Sequence, residues 1–208
     1  MERTSNQSMR ALETELITNG YNYIIGVDEA GRGPLAGPVV AAAVSLPRDL
    51  TLDNIKDSKA LSPQKRIKSY EEISRYGQIG IGLASPQEID TYNILQASLL
   101  AMKRGISKIH PSPDICLIDG NQRIPGLYIE QRLIVRGDAT QYLIAAASII
   151  AKVHRDTLME QYHLEYPEYG FAQHKGYPTK EHIQALGEFG PTPIHRHSFQ
   201  RVKRGNIS

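Results

Sequence analysis

Two adjacent carboxylates, Asp28 and Glu29, run directly into Ala30-Gly31-Arg32-Gly33-Pro34-Leu35-Ala36-Gly37-Pro38. Acids beside a glycine-rich turn suit the handling of a phosphate or a sugar. Glycines let backbone N–H groups approach a ligand closely, and the Arg32 guanidinium offers a planar fork of donors. Successive side chains alternate in a regular pleat, so two neighbouring acids at a strand end need a turn that re-aims one of them, or else two separate tasks. An ordinary tight turn carrying surface charges accommodates the same residues. Two nucleotide-binding loops are excluded. A P-loop needs lysine and serine or threonine leading into a helix, whereas Gly37 is followed by Pro38 and a β-branched pair. The dinucleotide pattern also needs a helix after its glycines, and Gly31, Gly33 and Gly37 lack its spacing.

Two further acids occupy comparable places. Asp119 ends the apolar run Ile115-Cys116-Leu117-Ile118, and Asp138 immediately precedes a long helical stretch. Each has a plain alternative: Asp119-Gly120 is a common turn pair, and Asp138 can serve as a helix N-cap. Together the four acids make the all-oxygen donor set that Mn2+ or Mg2+ prefers, with enough charge for two ions. Two such ions suit phosphodiester hydrolysis.

The elements that must hold these acids follow from periodicity. Tyr23–Val27, Val39–Val44, Gln78–Ala84, Asp114–Ile118 and Leu127–Val135 read as five strands, the acids lying just past the ends of the first and fourth. Helices are expected from about Ser5 to Thr18, from the N-cap Ser62 to Gly77, from the capping box at Ser85 to Arg104 with a break near Asn93, from Gln141 to Tyr166, and from Thr179 to Glu188. Strands separated by helices of these lengths imply an α/β domain with helices on both faces of its sheet.

At 208 residues with 40% apolar content, the chain is long enough for one sizeable core. The net charge of +2 does not identify a polyanionic partner, but Arg196, Arg201, Lys203 and Arg204 follow Phe189 with no acid among them. Such a basic tail reads first as a solvated terminus. His195 and His197 within it fit surface or phosphate-contact groups better than a metal pair. Cys116 is the only cysteine, so no intrachain disulfide forms and a reducing compartment fits. No secretory signal is visible, and the longest apolar run, Leu143 to Ala151, is far short of a membrane span. A cytoplasmic location with no membrane attachment is expected.

Several segments, taken in order, resemble bacterial ribonuclease HII: Gly26-Val27-Asp28-Glu29-Ala30-Gly31-Arg32-Gly33, Asp57-Ser58-Lys59, Leu117-Ile118-Asp119-Gly120, Gly137-Asp138-Ala139, Ala145 to Val153, and His174-Lys175-Gly176-Tyr177-Pro178-Thr179. The resemblance covers nearly the whole chain from Tyr23 to Phe199. It implies a ribonuclease H-like fold: a five-stranded mixed sheet flanked by helices, with a C-terminal helical extension. The expectation is one domain over residues 1–208, with a catalytic core over about 21–166 and a basic helical extension over about 167–208.

The implied activity is an endonuclease that cuts RNA in RNA–DNA hybrids and nicks beside single ribonucleotides embedded in duplex DNA, as in ribonucleotide excision repair. Nucleic acid is then the partner, and a monomer is expected. Asp28, Glu29, Asp119 and Asp138 fall on the family's metal-site acids, with Asp28 bridging two ions. Gly31, Arg32 and Gly33 fall on the loop whose backbone reads the ribose 2′-OH. Tyr177 falls on the tyrosine that stacks on the sugar of the following deoxynucleotide, although a Tyr between Gly and Pro also serves simply to cover a core. Lys59 and Lys152 match positions near the nucleic-acid backbone, Lys152 being equally a solvated helix charge.

Departures are few: Arg136 replaces a common lysine, and His197 stands where a second arginine is frequent. Arg32, where ribonuclease HIII usually has lysine, favours HII over that relative, as does the short segment before Tyr23. A non-catalytic hybrid-binding protein built on the same loop is disfavoured, because four acids beside a phosphate are costly without neutralising metal.

Overall fold

Strand β1 (Ile24–Ala30) is the middle of a five-stranded sheet in the computed structural model, which describes residues 8–52, 55 and 61–205. The Asp57-Ser58-Lys59 segment therefore lies outside the described residues. β1 pairs antiparallel with β2 (Val39–Ser45), which pairs antiparallel with β3 (Gln78–Ala84). On its other side β1 pairs parallel with β4 (Ile115–Asp119), and β4 with β5 (Glu130–Ile134). The order β3-β2-β1-β4-β5 makes the expected mixed sheet, and its parallel half brings the carboxyl ends of β1, β4 and β5 to one edge.

Alternation along the central strands sends residues to two separate cores. Ile24, Ala42, Val44, Ile115 and Leu117 face one cluster, and Ile25, Val27, Ala41, Ala43, Cys116 and Ile118 the other. Beyond the N-terminal helix α1 (Ala11–Thr18), α2 (Pro63–Tyr76) begins at the Ser62 cap, and α3 (Pro86–Ile106) begins at the Ser85–Glu88 capping box. The break expected in α3 falls at Asn93, which has φ 66° and whose Oδ1 accepts from Leu95 and Gln96 N–H to restart the helix.

A four-residue helix, α4 (Gly137–Thr140), precedes the long α5 (Tyr142–Glu165). The alanines of α5 let it lie directly on β1, so close that a Cβ added to Gly26 would stand 2.1 Å from the Leu143 carbonyl carbon. None of the described helices is long and apolar enough to cross a membrane.

After α5 the chain turns through a 3-10 segment (Pro167–Tyr169) into α6 (Phe171–His174), α7 (Lys180–Phe189) and α8 (Gln200–Gly205). Their apolar residues join Leu35, Ala36 and Met159 in a third cluster. The C-terminal extension is thus fastened to the limb leaving the glycine loop and to the far half of α5.

Three expectations change. β1 continues through the acids to Ala30, because its hairpin partner β2 pairs as far as Ala30↔Val40. Asp138 does not cap the long helix: it sits inside α4, and Gln141 holds the N-cap position of α5. The basic tail is a solvated terminus only in part: His195 and Arg196 are fully buried, whereas His197, Arg201 and Lys203 are exposed.

Candidate active site

Because β1 and β4 run parallel with Val27 opposite Ile118, the next residues of each strand, Asp28 and Asp119, lie side by side at the sheet edge. β5 ends nearby at Ile134 and the chain turns through Arg136, in the left-handed region at φ 58°, into α4 with Asp138. Asp28, Glu29, Asp119 and Asp138 line one cavity, along with Gly31, Arg32, Gly33, Ser148, Lys152, Arg155 and Tyr177. All the expected site residues within the described region are therefore brought together. Neighbouring Asp28 and Glu29 stay in the pleat, opposite Ala42 and Ala41, which belong to opposite cores. They reach one cavity because it wraps over the end of the sheet.

Asp28 is buried, its Oδ1 accepts from the Glu29 N–H at 2.7 Å, and it also takes a hydrogen bond from Ser148. Burial, then the charges of Glu29 and Asp119, hold its carboxyl well above the usual carboxylate range. Glu29 is raised in the same direction, mainly by burial, although Arg32 Nη1 at 3.2 Å from its Oε1 opposes the shift. Asp119 Oδ1 accepts from the Gly137 N–H at 2.6 Å, tying the end of β4 to the start of α4. As they stand, no three of these side chains converge into a metal-ligand set among the described residues. A cavity that gathers four carboxyl groups, with those of Asp28 and Glu29 both held above the usual carboxylate range, has the chemistry a hard divalent cation relieves.

Two buried arginines set the loop, and composition gave no hint of them. Arg196 Nη1 donates to Arg32 O at 3.0 Å, and its Nη2 to Gly31 O at 2.6 Å and Gly37 O at 2.9 Å. Arg155 donates to Pro38 O at 3.1 Å, Ala36 O at 3.1 Å and Lys175 O at 3.0 Å. Burial pushes these guanidiniums down, to about 10 for Arg155 and about 9 for Arg196, and both remain protonated at neutral pH.

A trans peptide points its N–H opposite its carbonyl. With the carbonyls of Gly31 and Arg32 turned toward Arg196, the N–H groups of Arg32 and Gly33 point the other way, out of the guanidinium core. Tyr177, an exposed residue, holds its ring over Gly33. Lys152 pairs with Asp156 at 2.7 Å on the cavity wall. The only sequence signal for these arginines was their place, Arg155 just past the apolar first half of its helix and Arg196 beside the histidines of the tail.

The family model described as Ribonuclease HII matches residues 25–202. The chain belongs to the ribonuclease HII family. It is accordingly a hydrolase, a ribonuclease H of type HII. It is 52% identical to ribonuclease HII of Geotalea daltonii over 185 residues, covering 88% of this chain and 85% of that one. Identity to ribonuclease HII of Clostridioides difficile is 50% over 194 residues, covering 93% and 76%. Among solved structures, ribonuclease H2 from Pyrococcus horikoshii OT3 superposes with a TM-score of 0.73 at 27% identity, covering 88% of this chain and 97% of that one. Bst-RNase HIII in complex with Mn2+ superposes with a TM-score of 0.73 at 18% identity, covering 89% and 70%, and so shares the fold. The ribonuclease H-like α/β architecture expected for the ribonuclease HII family is the one observed.

Proposed function

We propose that this ribonuclease HII hydrolyses the RNA strand of RNA–DNA hybrids and nicks duplex DNA on the 5′ side of a single embedded ribonucleotide, leaving a 3′-hydroxyl and a 5′-phosphate. The observation that carries the reading is the shared cavity, in which four carboxylates, from the ends of β1 and β4 and from α4, stand beside outward-pointing backbone N–H groups of a rigid loop. Asp28, Glu29, Asp119 and Asp138 would hold two Mn2+ or Mg2+ ions. The oxygen-only donors and the raised Asp28 carboxyl support that fit. Bound divalent ions supply the Lewis acidity that phosphodiester hydrolysis needs.

The protein's own part is selection and orientation. The N–H groups of Arg32 and Gly33 donate to the 2′-oxygen that distinguishes RNA from DNA. Tyr177 packs on the sugar that follows, where a 2′-hydroxyl would crowd it, and Lys152 turns from Asp156 toward a backbone phosphate. Lys59, outside the described residues, is assigned the same backbone role by resemblance alone. We read residues 1–208 as one domain acting as a monomer in the cytoplasm, with the helices after residue 167 serving to build the loop and Tyr177.

The test is cleavage of three labelled duplexes: one carrying a single ribonucleotide, one a continuous RNA strand and one only DNA, each with Mg2+, with Mn2+ and with EDTA. The expected result is metal-dependent nicking of the first two and none of the third. A folded, monodisperse protein that spares the single-ribonucleotide duplex in both metals sinks the proposal.

A further inference from the structure

Tyr177 is 43% exposed, so the main chain that carries it has a large part in setting its place. That main chain is awkward: Lys175 and Gly176, just before it, both have positive φ, 52° and 83°. A non-glycine residue there costs about 1 kcal/mol, so something must restrain the segment.

The restraint is a row of buried histidines. Thr192 N–H donates to His195 Nδ1 at 2.9 Å, which makes that nitrogen an acceptor and places the His195 proton on Nε2. His195 Nε2 lies 3.0 Å from His182 Nε2, so the shared hydrogen belongs to His195 and the His182 proton sits on Nδ1. His182 Nδ1 is 2.9 Å from the Tyr177 carbonyl and donates to it. A third histidine closes the other side: His174 Nδ1 accepts from the Gly176 N–H at 3.2 Å, and its Nε2 donates to Tyr169 O at 2.6 Å.

Only this one set of tautomers satisfies all five contacts, and it requires all three rings neutral. Burial agrees, pushing His182 down to about 4 and His195 to about 3. His182 and His195 are fully buried, and their rings pack against Tyr169 and Phe171.

The far end of this chain is anchored to the glycine loop. His195 sits opposite Ala36 in an antiparallel bridge, with Gly37 N–H donating to Ile194 O and Arg196 N–H to Leu35 O, both at 2.9 Å. Leu35 N–H in turn donates to Gly176 O at 2.8 Å. The backbone on either side of His195, at Ile194 and Arg196, thus holds the limb leaving the sugar-reading loop, while the His195 ring holds the Tyr177 segment through His182.

We propose that His195 and His182 are positioning residues that fix Tyr177 at a set distance from Gly31–Gly33, and that they thereby determine how strictly the enzyme demands a ribonucleotide followed by a deoxynucleotide. This rests on the role given to Tyr177 above.

The test uses His182→Phe, which keeps a ring but loses both nitrogens, and His182→Asn, whose amide restores a donor near Nδ1. Cleavage of the single-ribonucleotide duplex is compared with that of the continuous hybrid. Loss of a buried donor on this scale predicts that His182→Phe lowers the ratio of the two kcat/KM values about tenfold and that His182→Asn recovers most of it.

Position is read separately by 19F NMR after 3-fluorotyrosine labelling, the Tyr177 resonance being assigned with Tyr177→Phe; it should shift or broaden in His182→Phe. Should His182→Phe fail to fold, His195→Leu against His195→Gln, which keeps a donor near Nε2, replaces the pair. A folded donor-less variant with an unmoved Tyr177 resonance, or with both substrates slowed equally while Tyr177→Ala does change their ratio, overturns the proposal. A moved resonance together with an unchanged ratio in Tyr177→Ala upholds the positioning and overturns instead the role assigned to Tyr177.

Discussion

The ring of Tyr177 leaves space over Gly33 for a single methyl group: a Cβ built there would meet Tyr177 Cε1 at 3.5 Å and no other atom within 4 Å. Two residues earlier the situation is reversed, because a Cβ on Gly31, at φ +99°, would stand 2.1 Å from Arg155 Nε and 2.9 Å from Pro38 O.

The two glycines therefore separate stability from selectivity. Gly31→Ala should destabilise the fold by roughly 2 kcal/mol or more, through left-handed strain and displacement of a buried guanidinium. Gly33→Ala should cost well under about 1 kcal/mol, while narrowing the space beside Tyr177 and lowering kcat/KM on the single-ribonucleotide duplex about tenfold or more. Urea titration and steady-state cleavage of both variants check the contrast.

Arg196 is held by the backbone carbonyls of Gly31, Arg32 and Gly37. Arg196→Ala leaves those carbonyls buried without donors and should cost roughly 2 to 5 kcal/mol. Arg196→Lys has one nitrogen in place of the fork and should recover only part of that. Thermal unfolding gives the order wild type, Lys, Ala, and cleavage measured below each midpoint should follow it, since the loop loses its shape before the domain unfolds.

Asp28→Asn should abolish cleavage yet stabilise the metal-free protein, by on the order of 1 kcal/mol. The folded state holds the Asp28 proton more tightly than the unfolded chain does, so the wild type loses stability as pH rises through the folded titration. Asparagine cannot ionise, and its advantage grows with pH. Unfolding in EDTA at pH 5 and pH 8 should show the larger gain at pH 8, and added Mg2+ should raise the wild-type midpoint while leaving the variant nearly unmoved.

Lys152 pairs with Asp156 across one turn of α5, and both side chains are partly exposed, 23% and 19%. Lys152→Ala should therefore change stability by less than about 1 kcal/mol. If the lysine meets a phosphate, KM for the duplex rises a few-fold with kcat little changed, and the slope of affinity against salt falls by about one counterion. An unchanged salt slope removes Lys152 from the interface.

By itself the sequence determined the five strands, the caps at Ser62 and Ser85, the break at Asn93 and the acids that end core elements, because each is written in residues a few positions apart. It misplaced what depends on partners far along the chain. β1 outlasts its own apolar run because β2 pairs with it to Ala30. Asp138 resembled a cap because nothing local records that Asp119 reaches across to Gly137. His195 and Arg196 looked like a solvated basic tail because their burial comes from Leu35 to Pro38, about 160 residues earlier. The acids announced a chemistry by type and spacing. Which backbone groups face it was decided only in three dimensions, where two guanidiniums turn the loop carbonyls inward and a histidine row sets Tyr177 over Gly33.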